Sequence, residues 1–156
     1  MTTLTGFRLV KQKFISSAFD GEGAKRYGGR WNSRGVPCVY LAASQSLALL
    51  EVMVHLQDYQ VLKHYRMLQL QLSEPEVLQL AHAQLPANWR DEPAPVETAA
   101  IGDGWLRSGD SLALAVPSVV IPGELNYLLN VEYSGFDRVV ETAQLIEFEP
   151  DRRLLT

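Results

Sequence analysis

The chain has 156 residues, 47% hydrophobic and 21% charged, which is enough apolar material for one compact domain and too little length for a second. A net charge of -4 excludes a general nucleic-acid-binding surface. The absence of a long apolar run argues against a membrane span, the start MTTLTGFRLVKQ lacks a signal-peptide core, and the lone Cys38 has no disulfide partner, so a reducing cytoplasm is expected.

The average charge conceals a polarity. Residues 1–40 hold seven Lys and Arg against Asp20 and Glu22, a net +5, while the remaining 116 residues carry -9. A basic, glycine-rich segment on an otherwise acidic chain reads as a local anion site; the plainer alternative is a solvated charged face. Within it, Gly6 to Val10 (GFRLV) predicts a first strand, where Arg8 between Phe7 and Leu9 needs an anionic or hydrogen-bonding partner if buried. Residues 15–34 read as loop. Gly23 and Gly28 have P-loop separation, but Gly29 and Arg30 stand where Lys and Ser or Thr are required, so no phosphate loop of that kind is expected.

Val36 to Ala42 predicts a short buried strand containing Cys38 and Tyr40, followed by a helix capped by Ser44 or Ser46 and apolar over most of its circumference. Glu51 falls among Leu47, Leu50 and Val54 on that helix. A carboxylate directed at packing is costly unless it is paired or needed, which makes Glu51 a candidate catalytic residue; the alternative is a glutamate that bends out to solvent or meets one arginine. Tyr65 to Leu72 predicts a strand with Val77 to Leu80 as its continuation. Residues 82–104 read as a loop around a short helix, Ser111 to Val116 as a short helix or an extended approach, and VPSVVIP as the last clear core strand, with Ser118 at its mouth facing a cleft or simply sitting in a Pro-flanked turn. LNYLLN reads as a compact apolar turn and Ala143 to Glu149 as a closing strand. Strands predominate with one strong helix, which favours an α+β domain over a doubly wound sheet. His55, one turn after Glu51, could orient it or be an ordinary packed or surface histidine. No Cys/His cluster has metal-ligand spacing, and no metal is expected.

The ordered set GEGAKRYGGRWNSRGVPCVYLAASQSLALLEVMVHL, GDGWL, VPS and ELNYLLN resembles the RES domain family, the toxin halves of bacterial Xre-RES toxin-antitoxin pairs. The family's arginine, glutamate and serine match Arg8, Glu51 and Ser118; the strand tyrosine matches Tyr40 and the GGRWN arginine matches Arg30. The chain departs from the family's NPxH continuation with Asn130, Val131, Glu132 and Tyr133, so no role is carried over for that histidine.

The resemblance implies a fold like that of the ADP-ribosyltransferases and the destruction of NAD+ by hydrolysis or phosphorolysis, with NAD+ as substrate and no further cofactor. It also implies an Xre-type helix-turn-helix antitoxin, and leaves a homodimer open. The residues suit this chemistry. Cleavage at the nicotinamide ribose develops oxocarbenium character that a single carboxylate can stabilise, Arg8 and Arg30 offer forked donors for pyrophosphate, and Tyr27, Tyr40 or Trp31 offers an aromatic face to the pyridinium ring. Transfer of ADP-ribose to a specific protein is the alternative enzymatic reading, and a noncatalytic partner-binding domain is the alternative outside enzymology.

Overall fold

The computed structural model describes residues 2–156. One seven-stranded sheet runs through it, built from β1 (Thr3–Lys11), β2 (Val39–Ala42), β3 (Tyr65–Ser73), β4 (Val77–Gln79), β5 (Ala113–Pro117), β6 (Leu125–Leu129) and β7 (Gln144–Ile146) in the order β4-β5-β6-β2-β1-β3-β7. Only the β4–β5 pair is parallel. The helices are α1 (Glu22–Tyr27), α2 (Gln45–Met53), α3 (Val96–Ser108) and α4 (Phe136–Val140). This is the expected α+β architecture. No helix among the described residues is long and apolar enough to cross a membrane.

Strand alternation distributes the core over both faces. Leu41, Leu70, Leu72, Tyr127 and Leu129 pack with Phe136 and Val139 of α4 on one face. On the other face there are two clusters. Leu9, Ala42 and Met67 meet Leu47 and Ala48 of α2, while Leu114, Val116 and Leu128 meet Trp31 and the α3 residues Trp105 and Leu106.

The sheet is also divided along its length. β1 pairs with β3 over nine positions but meets β2 at the single position Phe7↔Ala42. Beyond that point the carbonyl of Tyr40 on β2 has no β1 amide, and the Arg8 side chain supplies the donor, Nη1 to Tyr40 O at 2.9 Å.

Several local expectations are corrected by tertiary structure. LNYLLN is not a turn: it forms β6, between β5 and β2, because both faces of the sheet are covered there. VPSVVIP is not a strand beyond Pro117; the Ser118 hydroxyl accepts the backbone N–H groups of Val120 and Ile121, closing a turn in place of the ladder. Val77–Gln79 does not continue β3, since Pro75 interrupts the ladder and the chain crosses to pair with β5 at the far edge. The predicted strand from Val36 begins only at Val39.

The stretch read as a loop around a short helix ends in α3, a thirteen-residue helix that contains GDGWL. Glycines there argue against helix, but Gly102 lets α3 approach the Trp31 carbonyl so closely that a Cβ would overlap its oxygen, and this contact outweighs propensity. Residues 22–27, within the expected loop, form α1.

Candidate functional site

Ser44 caps α2, its Oγ accepting Leu47 N–H at 3.1 Å and donating to Glu124 Oε1 at 3.0 Å. Substituting such a cap costs about 1 kcal/mol. Glu124 also accepts Ser118 N–H through its backbone carbonyl at 2.9 Å. The N-terminus of α2 and the turn after β5 are therefore tied to one residue, which sets the position of Glu51 relative to Ser118.

Glu51 is half-buried, and Leu47 is sealed beneath it while Leu50 and Val54 lie exposed, so the carboxylate sits at the rim of the apolar face rather than within it. Its Oε1 accepts the Ser118 hydroxyl at 2.8 Å. Ser118 is fully buried. With two backbone N–H groups donated to Oγ at 3.1 Å each, its one proton is committed to Glu51. The Ser118 hydroxyl thus orients the Glu51 carboxylate.

Among the described residues Arg8 forms no ion pair. Its guanidinium makes the bond to Tyr40 O, its Nε is sealed from solvent without a partner, and burial pulls its pKa below the ordinary value, offset in part by Cys38 and Asp20 nearby. An unpaired buried charge is costly, and a ligand's anion would relieve that cost.

Arg30 is engaged otherwise. Nη1 donates to the carbonyls of Trp89 and Asp91 at 3.0 and 2.7 Å, and Nη2 meets Glu92 at 2.8 Å, so the side chain clamps residues 89–92 as a strap. Arg90 on the same strap donates to the carbonyl of Val119, beside Ser118. Neither Arg8 nor Arg30 contacts Glu51 through any of these bonds.

The three aromatics differ as sharply. Trp31 is 3% exposed and belongs to the core with Trp105, which removes its ring as a free face. Tyr27 is 69% exposed at the end of α1. Tyr40 is half-buried; its hydroxyl donates to Asn32 Oδ1 and accepts Trp31 N–H at 3.1 Å, and burial raises its pKa well above that of a free phenol. Tyr40 therefore fastens the GGRWN loop. A Cβ on Gly29 would lie 2.6 Å from the Tyr40 hydroxyl, which explains a glycine there. Asp103 of α3 holds the same loop by accepting both Ser33 N–H and Ser33 Oγ–H.

Sequence reasoning named Ser44 only as a cap and missed Asn32, Asp103 and Glu124 as supports of the site; the bonds of Asp103 and Glu124 reach across the fold, while Asn32 acts within its loop and on Tyr40. Among the described residues no group of three or more His, Cys, Asp and Glu could hold a metal ion. An open hollow of about 920 Å³, lined by Gln60, Lys63 and residues near the C-terminus, contains none of the candidate residues.

Comparison with known proteins accords with this picture. The family model described as the RES domain matches residues 5–151. A protein named Toxin Res from Yersinia enterocolitica is 40% identical over 148 residues, covering 95% of this chain and 97% of its own. A protein named Prs ADP-ribosylating toxin from a Sphingobium strain is 40% identical over 114 residues, 70% of each chain. In the crystal structure of the Mycobacterium tuberculosis MbcT-MbcA toxin-antitoxin complex, a chain with 21% identity superposes with a TM-score of 0.70 over 94% of this chain and 82% of its own, and so shares its fold. With nearly its whole length matched, the chain belongs to the RES domain family.

Proposed function

We propose that the protein is the toxin of a bacterial toxin-antitoxin pair and cleaves NAD+ in the cytoplasm at the bond between nicotinamide and ribose. The observation that carries this reading is the Glu51 carboxylate, half-buried and held in one orientation by a serine whose every hydrogen-bonding valence is used. Relatives named as toxins, and a fold shared with one chain of a toxin-antitoxin complex, support it.

In this mechanism the C1′–N bond breaks and its electron pair passes to the pyridinium nitrogen, so nicotinamide leaves neutral and needs no general acid. Positive charge gathers on the ribose, where the fixed Glu51 carboxylate stabilises it. A water oxygen then bonds to C1′ and releases a proton, giving ADP-ribose; a phosphate oxygen in its place gives the 1″-phosphate. Arg8, the unpaired cation, binds the pyrophosphate, Tyr40 and Tyr27 offer ring faces to the nicotinamide, and Arg30 contributes by holding the strap. NAD+ is substrate, and no further cofactor takes part.

An Xre-type helix-turn-helix antitoxin would silence the enzyme by covering this site, without nucleic-acid contact by the toxin itself. The test is to incubate antitoxin-free protein with NAD+, with and without phosphate, and to identify products by mass spectrometry. Failure to release nicotinamide under either condition, or with a protein acceptor present, would falsify the assignment. Transfer of ADP-ribose to a protein is the second reading, favoured by the name of the Sphingobium relative. In that case label from NAD+ remains on a polypeptide.

A further inference from the structure

Of the four asparagines that are wholly or partly buried, Asn88 lies in a surface turn and donates to Glu97 Oε2 at 3.2 Å, and the other three can be compared bond by bond. Asn32 donates to the carbonyls of Ala24, Ser33 and Val36 and accepts the Tyr40 hydroxyl. Asn130 donates to Leu106 O and accepts Glu132 N–H. Both are satisfied at each end of the amide, as structural asparagines must be.

Asn126 is different. It is half-buried in the interior of β6, donates only to Leu41 O at 3.3 Å, at the long end of the range, and leaves its Oδ1 and second N–H for another group. Its Oδ1 is not sealed from solvent and so is open to an incoming group.

Its place in the sheet indicates what that group is. Leu125, Tyr127 and Leu129 pack on the α4 face, so Asn126 and Leu128 share the opposite one. The cross-strand partners of Asn126 are Ala42, which packs with α2, and Val116, which packs with Trp31 and Trp105. Asn126 therefore lies on the sheet floor at the boundary between the two apolar clusters. Glu51 stands on α2, on one side of that boundary, and Ser118 follows Val116 by two residues on the other.

We propose that Asn126 is a substrate-binding residue that hydrogen-bonds the carboxamide of the nicotinamide leaving group, an inference that rests on the NAD+-cleaving reading above. Next to the bond that breaks, the polar groups of the substrate are ribose hydroxyls and the carboxamide; the phosphates lie farther off and call for cations. The carboxamide presents one carbonyl and one N–H edge, and the free Oδ1 and N–H of Asn126 are the complementary pair. A neutral amide also adds no charge to compete with Glu51 for the developing cation.

The experiment compares NAD+ with the dinucleotide in which unsubstituted pyridine replaces nicotinamide, using wild type, Asn126→Ala and the shape-conserving Asn126→Leu. The quantity read is the ratio of kcat/KM for the two substrates, in which intrinsic leaving-group differences cancel between enzymes. Wild type is expected to prefer NAD+, and either variant to reduce that preference at least about tenfold, the size of one lost hydrogen bond. A structural role would lower both substrates together, and an unchanged ratio in a variant that retains activity overturns the assignment, as does a wild type that treats the two dinucleotides alike. A wild type that binds neither dinucleotide and releases no pyridine base overturns the NAD+ reading itself, and this assignment with it.

Discussion

Ser118 donates its only hydroxyl proton to Glu51 Oε1 across 2.8 Å, from a buried position where two backbone amides hold the oxygen in place. The bond joins the helix after β2 to the turn after β5, 67 residues apart in sequence. The carboxylate is therefore oriented before any ligand arrives, the condition under which electrostatic stabilisation is most effective.

Glu51→Gln keeps an oxygen that can accept the Ser118 proton but removes the charge. Nicotinamide release and toxicity on expression are expected to fall by at least about 100-fold, the loss typical of one transition-state electrostatic partner, with the melting temperature unchanged within a few degrees. Retained activity in a folded variant would remove Glu51 from the mechanism.

Ser118→Ala is expected to harm both stability and turnover, for different reasons. The Val120 and Ile121 amides lose their acceptor, at a cost of about 1–3 kcal/mol by denaturant unfolding, and Glu51 gains rotational freedom. Because Ser118 is buried and acts through Glu51, kcat should fall while KM changes little. A rise in KM alone would point to direct substrate contact instead.

Arg8→Met separates binding from folding. Removing an unpaired buried cation should leave the melting temperature level or raised, even though the bond to Tyr40 O is lost, while KM for NAD+ rises at least about tenfold. Arg8→Lys keeps charge but not the fork and should fall between. Equal KM for all three proteins would show that Arg8 serves the sheet seam and not the substrate.

Alkaline pH should unfold the protein through β2. Burial pushes the Cys38 thiol up to about 12 and raises the Tyr40 phenol well above its ordinary value. The unfolded chain releases these protons first, from about pH 8.5 for a thiol and about 10 for a phenol, while the folded chain retains them. Their contribution is full below that window and declines as pH rises through it, by up to about 1.4 kcal/mol per pH unit for each proton. Urea midpoints from pH 7 to 11 measure this, and Cys38→Ala should flatten the first part of the decline. The same burial should keep Cys38 inert to thiol reagents at pH 7.5 until the chain is denatured.

The features legible in the chain alone were local and periodic. The GFRLV strand, the Ser44-capped helix and the β3 alternation are written in neighbouring residues, whereas Arg8, Glu51 and Ser118 stood out singly as polar groups in apolar runs and were joined as a candidate set only by the family resemblance. Tertiary structure decided what depends on residues far apart. α3 exists despite two internal glycines because Gly102 meets Trp31, and LNYLLN becomes a central strand because helices cover both its faces. Arg30 is drawn to the 89–92 strap by carbonyls about sixty residues away, and Asn126 stands out only when its neighbours across two strand pairings are known. Hydrogen-bond demand and strand register are settled between segments, and no window of sequence contains both partners.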